Sequence, residues 1–498
     1  MPAKYAYFHK PCVILFFMFF LLAISQSEVT AYTNETLMKF CGRNWYGLYM
    51  QDHKVGYLSS EIAKLTGADG SWKTSDLVTI KSQFEGSEFS MSLEDTRFYD
   101  GLDHAIDSNY LKIQSPAGNI EVVGMRAGKS SYNLTTRIAG AETINQLDYI
   151  PDFLDSVLFV VDQITNANLV IGDSFSVLYF EPTPPLQKSV HHKLSMQNIE
   201  KNMLNGVESK IYTVNIYYPE YDMAVQTKYN GDGLLLDGQF GAEMTCRIEP
   251  EQKAKEITEP FNIYDISLVK TNAKIAEPQK LRSIDILISG VNPRDLPEMG
   301  NQKIIEKSAE SALIEIGRRP EVGYAAEISD IRKSHMRYLA PDLLIQSDDP
   351  KIIALANSIV GQIKNGYEAA TKINQWVYRN ISKQFSPELS NALTTFKSRK
   401  GDCGEHAVLA IALMRAAGIP AREVSGLIYW PPGDSFGYHA WIEVYVGEWI
   451  QLDPSWGEDN PNPSHIALAI GDLPGRQGVL SRLLGKIKIE IVSTEYLP

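Results

Sequence analysis

Residues 401–407 read Gly-Asp-Cys-Gly-Glu-His-Ala, and Cys403 opens a small, apolar run that ends in Met414-Arg-Ala-Ala-Gly418-Ile-Pro420. Asp402 is suited to cap a helix start, Gly418 to take the left-handed backbone that ends one, and Pro420 blocks continuation. A thiol in the first turn of such a helix meets unpaired N–H groups and the positive end of the helix dipole, both of which favour the thiolate. Only the thiolate is a strong nucleophile, and the same N–H groups can hold the oxyanion of a tetrahedral intermediate. Taken alone, Cys403 reads better as a structural cysteine on a buried helix.

Partners downstream favour chemistry. Phe436-Gly-Tyr-His439-Ala-Trp-Ile-Glu-Val-Tyr-Val446 alternates as a strand, Gly447-Glu448 marks a turn, and Trp449-Ile-Gln-Leu-Asp453-Pro-Ser-Trp456 returns. His439, Trp441, Glu443 and Tyr445 share one face of the first strand. A two-residue turn at 447–448 would leave Asp453 on the opposite face. The pattern therefore predicts a three-residue loop or a bulge near Gly447. With that shift Asp453 can bond one imidazole nitrogen of His439 and turn the other toward Cys403.

These blocks, together with Leu413-Met-Arg-Ala-Ala-Gly-Ile-Pro-Ala-Arg422, resemble the transglutaminase-like core over residues 350–475. The resemblance implies a papain-like fold, in which a helix bearing the cysteine packs on an antiparallel sheet. It implies Cys403 as nucleophile, His439 as general base and acid, and Asp453 as the orienting carboxylate, with no cofactor and no metal. The implied reaction is acyl transfer from a peptide or protein amide through a thioester. Water as acceptor makes a protease or amidase, and a lysine amine makes a cross-linking transglutaminase; a non-catalytic scaffold is the competing class. The exported setting argued below and the lack of a calcium-loop pattern favour hydrolysis.

Other polar and aromatic residues read as structural. Glu405 fits helix-dipole chemistry, His406 a packed or rim position, and Trp441 and Trp456 packing around the site or lining of an acyl groove. Trp376 is the nearest upstream indole and reads as core. His191-His192 lacks further ligands at metal spacing and reads as a surface strand, and Asp459 with its neighbours lacks the oxygen spacing of a calcium loop. Asn34, Asn133 and Asn380 fit glycosylation sequons, of consequence only in a eukaryotic source.

Apolar residues recur at helical spacing from Ile352 to Val377, predicting two helices hinged near Gly366. Residues 341–498 are expected to form the catalytic α+β domain, with 266–340 a smaller β-rich segment that includes the strand Ile284–Gly290. Residues 38–265 carry short alternating runs cut by turn signals such as Asn230-Gly-Asp-Gly233, predicting antiparallel β-structure as one twisted sheet, a sandwich or a half-barrel. A helical interlude is placed near Ile150–Asp162. Trp45-Tyr-Gly-Leu-Tyr and Lys54-Val-Gly-Tyr57 also resemble the β-rich region that precedes such cores in exported bacterial proteins.

At the N-terminus, Lys4, His9 and Lys10 precede the apolar run Cys12–Ile24. That run is too short to span a bilayer comfortably and suits the apolar centre of a secretory signal. Residues 1–27 are therefore expected to be a signal peptide or an uncleaved anchor, and the rest to be periplasmic or extracellular. Loss of the leader leaves Cys41, Cys246 and Cys403, and Cys41 could pair with Cys246. The 498 residues exceed a single hydrophobic core, so several domains are expected. A net charge of −13 argues against a nucleic-acid partner.

Overall fold

The computed structural model describes residues 37–498 apart from short internal stretches, of which 149–157, 263–267, 321–325, 385–390 and 472–478 are the longest. The leader, Asn34 and most of the predicted interlude before residue 158 lie outside the described residues. None of the described helices is long and apolar enough to cross a membrane. Two compact units divide the chain, one ending at Ile263 and one running from Tyr264 to Pro498.

The N-terminal unit is a strand-rich antiparallel sheet built almost wholly from local hairpins. Eight strands follow one another outward from Gly42–Met50 to Ala141–Asp148, and six more run from Ser174–Glu181 to Met244–Ile248. Gly42–Met50 pairs with Met244–Ile248 and so joins the two series into one sheet. Phe159–Asn166 forms a helix between the two series. Within the sheet, Arg97 forms a buried ion pair with Asp95 of its own strand at 2.8 Å, and its bond to the Phe180 carbonyl at 3.2 Å ties strand Ser87–Tyr99 to Ser174–Glu181.

In this unit the pairing left open for Cys41 and Cys246 is not made, and one surface reading fails. Cys246 lies opposite Leu48, seven positions along the strand from Cys41, and both are thiols. At about 3.3 Å of rise per residue the gap is roughly 20 Å, far beyond disulfide reach. His192 is not a surface residue: it is buried, edge-on to Tyr218 with ring centroids 4.4 Å apart, while its neighbour His191 points outward.

The C-terminal unit holds two larger sheets, a two-stranded pairing and a helical layer. The first sheet orders Leu268–Lys270, Ser435–Tyr445, Ala421–Trp430 and His465–Ile470, with Trp449–Leu452 also paired to Ser435–Tyr445. The second orders Gln302–Lys307, Ser311–Gly317, Leu281–Ser289 and Lys488–Tyr496. The stretch 266–340 is thus not a separate segment. Its first strand joins the core sheet, and Leu281–Ser289 takes as partner the last strand of the chain.

Helices Pro350–Val360 and Gly366–Asn380 start at Asp349 and Asn365, whose side chains accept from Lys351 N and Glu368 N. Gly361, at φ 64°, turns the chain between them. The expected break is there, with Gly366 opening the second helix. Both pack on Cys403–Ala416, a helix in which every residue but Gly404 and Ala416 is buried. Burial of its Leu, Ile, Val and Met side chains contributes roughly 1.5–3 kcal/mol each before entropy is counted, which makes this helix the centre of the unit.

Candidate active site

The cysteine helix begins in a capping box. Asp402 accepts from Gly404 N at 2.9 Å, and Glu405 Oε2 accepts from Asp402 N at 2.8 Å. Glu405 can fold back only because residue 401 is glycine: a Cβ there would stand 2.2 Å from Glu405 Cβ. Immediately before the cap, Lys400–Gly401 pairs in parallel with Ser382–Lys383. Cys403 therefore occupies the first position of a rigidly started helix, with its side chain buried.

His439 sits on Ser435–Tyr445, directly opposite Gly426. A Cβ at Gly426 would meet the Ile466 carbonyl at 1.9 Å and the Trp441 ring at 2.7 Å. Glycine thus lets the His465–Ile470 strand approach and Trp441 lie flat. Trp441 stacks on His439 with centroids 5.9 Å apart and planes 20° apart, and donates its indole N–H to Gln451 Oε1 at 3.0 Å.

Between the histidine strand and Trp449–Leu452, Tyr445 pairs with Trp449, leaving Val446-Gly447-Glu448 as a three-residue loop. Val446 N donates to the Glu448 carbonyl at 2.9 Å, and Gly447 takes φ 113°. This is the register that strand parity demanded, and it brings Asp453 to the His439 face. Asp453 Oδ2 accepts from His439 Nε2 at 2.8 Å, with both side chains fully buried. The cysteine helix packs against this strand through the shared core of Ala407, Ala410, Ala440 and Ile442. With Nε2 committed to Asp453, proton exchange with a thiol falls to Nδ1.

The comparisons with known proteins bear on this arrangement. Residues 353–454, which include Cys403, His439 and Asp453, match the transglutaminase-like superfamily model. The C-terminal unit carries a transglutaminase-like core. YebA of Bacillus subtilis (strain 168) is 25% identical over 159 residues, covering 26% of this chain and 21% of that protein, so the match spans about a fifth of the relative. Among solved structures, a Cytophaga hutchinsonii protein provisionally described as a cysteine protease is 21% identical, covering 44% of this chain and 89% of its own, at a TM-score of 0.32. The periplasmic domain of TgpA from Pseudomonas aeruginosa, bound to ethylmercury, is 17% identical, covering 36% and 76%, at 0.26. A β-barrel-like protein of unknown function from Brucella abortus is 10% identical, covering 42% and 94%, at 0.32.

Around Asp453 the transglutaminase-like core is more elaborate than its sequence signature. Oδ1 accepts from Ser455 N at 2.8 Å, Ser455 Oγ at 2.8 Å and Trp456 N at 3.0 Å, so Asp-Pro-Ser-Trp is a turn wound on its own carboxylate. Oδ2 has a second imidazole, His465 Nε2 at 3.1 Å. His465, 1% exposed, opens the His465–Ile470 strand and was not singled out in the sequence. A polar residue heading an otherwise apolar strand, eleven positions past the matched region, is the signal that could have found it.

Burial alone would raise the Asp453 carboxyl, but the two histidines outweigh it and hold it well below the ordinary carboxylate range. Burial pushes His439 down, only partly opposed by Asp453. His465 goes up: burial would lower it, and the hydrogen bond to Asp453 with the nearby charge of Glu458 reverses the sign. His439, Asp453 and His465 are also the one group among the described residues with the donor types of a cation site, their ligand atoms lying within 4.8 Å of one another.

The remaining candidates fall outside the chemistry. His406 is fully buried, hydrogen-bonds through Nδ1 to the Asp402 carbonyl at 2.5 Å, and is pushed by burial down to about 4. At neutral pH it is an uncharged packing residue. Trp441 is fully buried and cannot line an acyl groove; Trp456 is only half-buried, edge-on to His439 at 6.2 Å with the Lys383 ammonium 5.7 Å over its ring. Trp376 lies at the edge of the core under Arg399. Asp459 accepts from Asn374 at 2.8 Å and Gln375 at 2.9 Å, a tie between the second helix and the loop after Asp453.

Proposed function

We propose that the protein is a thiol-dependent acyl-transfer enzyme acting on peptide or protein amides outside the cytoplasm, with water as its usual acceptor. The reading rests chiefly on one observation: the buried 2.8 Å bond from His439 Nε2 to Asp453, on the strand against which the helix headed by Cys403 packs. In this reaction His439 Nδ1 takes the Cys403 proton, and the thiolate adds to the amide carbonyl. The C–N bond then breaks as His439 returns the proton to the leaving amine, giving a thioester. Water, deprotonated by His439, adds to the thioester and releases the acid and the thiol. The leader at Cys12–Ile24 supports an exported setting, periplasmic or extracellular, with the membrane reached only through that segment.

Iodoacetamide labelling tests the thiol. Cys403 should alkylate rapidly at neutral pH and lose roughly a hundredfold or more of that rate in His439→Ala. Equal, slow labelling of both proteins would leave a binding scaffold as the function. Mass spectrometry of peptides incubated with excess free amine then separates the acceptors. Cleaved or deamidated products support hydrolysis, and a dominant amine adduct makes the protein a cross-linking enzyme instead.

A further inference from the structure

His465 lies outside the matched signature, yet it shares the carboxylate on which His439 depends. Its two ring nitrogens face two different groups. Nδ1 is 2.9 Å from the Asn462 carbonyl, which has no hydrogen to give, so Nδ1 must carry one. Nε2 faces Asp453 Oδ2 at 3.1 Å. The state of Asp453 therefore decides the charge of His465.

Five donors converge on that carboxylate: Ser455 N, Ser455 Oγ and Trp456 N on Oδ1, and the two imidazoles on Oδ2. This is the environment of an ion: the three donors on Oδ1 favour the carboxylate whichever way His465 is protonated, and the two imidazoles hold Asp453 well below the ordinary carboxylate range. An ionised Asp453 accepts from His465 Nε2 as well, and both nitrogens of His465 then carry hydrogen.

We propose that His465 is a fixed imidazolium that neutralises Asp453 and so keeps His439 an uncharged imidazole at rest. One negative and one positive charge then share the buried site, and a compensated pair costs far less to bury than a lone carboxylate. The directions of the three titrations agree: Asp453 down, His465 up, His439 down. The other groups turned toward His465 are few. Glu458 adds negative charge while accepting from Asn462 N at 2.9 Å, and the Trp441 ring stands edge-on at 5.2 Å.

The consequence for the reaction, which rests on the acyl-transfer reading above, concerns where the proton waits. Without His465, Asp453 would favour imidazolium at His439 and a preformed thiolate beside it. With His465 charged, that pull is offset, and the pair rests as thiol and imidazole. The proton then crosses from Sγ to Nδ1 only as the acyl carbon is attacked. His465 is in this sense a positioning residue that acts through Asp453.

The test reads charge before activity. The full chain is labelled with ¹⁵N-histidine, and His465 is assigned by the signals lost in His465→Gln. Both ring nitrogens of His465 should be protonated from about pH 5 to pH 8, across the range where an ordinary imidazole titrates. A single protonated nitrogen at neutral pH, or ordinary titration near 6.5, overturns the proposal. So does a bound divalent ion found by emission spectroscopy together with a missing Nε2 proton. His465→Gln keeps a donor and removes the charge. In the folded variant the His439 titration should move up by about one unit or more, and the pH profile of Cys403 alkylation should shift with it. An unmoved profile in a folded variant also overturns it. If that variant does not fold, assignment through His439→Gln and the remaining histidine variants leaves the wild-type measurement decisive. A Cys403 that proves unreactive refutes the acyl-transfer reading alone, because the charge on His465 is read separately.

Discussion

Strand Met223–Asn230 of the N-terminal sheet buries Met223, Val225, Thr227 and Tyr229 and turns the residues between them toward solvent, whereas Ser435–Tyr445 buries nine of its eleven residues. The first pattern belongs to a sheet with one wet face, where a polar side chain can find water. The second belongs to a sheet covered on both faces, where every polar side chain needs a partner within the protein. His439 finds Asp453, Trp441 finds Gln451 and Glu443 finds Arg422. Side chains held this way have fixed direction and shifted titration, which is what acid–base chemistry requires. The N-terminal unit is mostly sheet; the C-terminal unit holds the candidate site.

The sharpest way to break the contrast is to change one buried group in each unit's interior. Asp453→Asn keeps the shape of the turn and loses the acceptor shared by two imidazoles. Turnover of a peptide amide should fall roughly 10²- to 10⁴-fold. Cys246→Ser, at a buried thiol of the N-terminal sheet, should change turnover by less than about twofold, since it touches no reacting group. Comparable losses in both variants would mean that the sheet takes part in the reaction.

A backbone test comes next. Gly426→Ala places a Cβ 1.9 Å from the Ile466 carbonyl, so the two strands must part and the stacking of Trp441 on His439 goes with them. A loss of roughly 3 kcal/mol is expected in denaturant titration. Gly437→Ala on the neighbouring strand, with its nearest atom at 3.6 Å, should cost no more than about 1 kcal/mol.

The smallest effect is one of opposite pH dependence. His406 is pushed down to about 4 by burial, so the folded state resists a proton that the unfolded chain accepts near 6.5. Its contribution is complete above pH 6.5 and is lost as pH falls toward 4, at most roughly 3 kcal/mol. Asp76 in the N-terminal sheet is pushed up to about 7, chiefly by desolvation and further by the nearby Asp95. Its effect runs the other way: the fold is favoured below the unfolded value near 3.9 and loses that advantage as pH rises through about 7. Hydrogen exchange across pH 4–8 should show the helix around His406 loosening in acid and the strands around Asp76 loosening toward neutrality. His406→Gln and Asp76→Asn should each flatten only their own unit's trend.

Much of the site was readable because its rules are local. Asp402, Gly418 and Pro420 delimit a helix through backbone chemistry within a few residues, and the structure has that helix. Side-chain parity is strict in a strand, so an Asp that must face His439 demands an odd loop, and Val446-Gly447-Glu448 supplies it. The antiparallel character of the first unit was equally local, since nearly all of its pairs are hairpins.

Tertiary structure decided what no local rule carries. Leu281–Ser289 pairs with Lys488–Tyr496 across about two hundred residues, and nothing in either strand names the other. Cys41 and Cys246 satisfied a count but sit far apart along paired strands. His465 follows Asp453 by twelve positions and meets it only because its strand pairs with Ala421–Trp430 across Gly426. The sequence by itself determined the helix headed by Cys403 and the register that joins His439 to Asp453, because capping and pleating act over a few residues. Which charges end up buried together is set by the packing of distant strands, and that decided the protonation of the site.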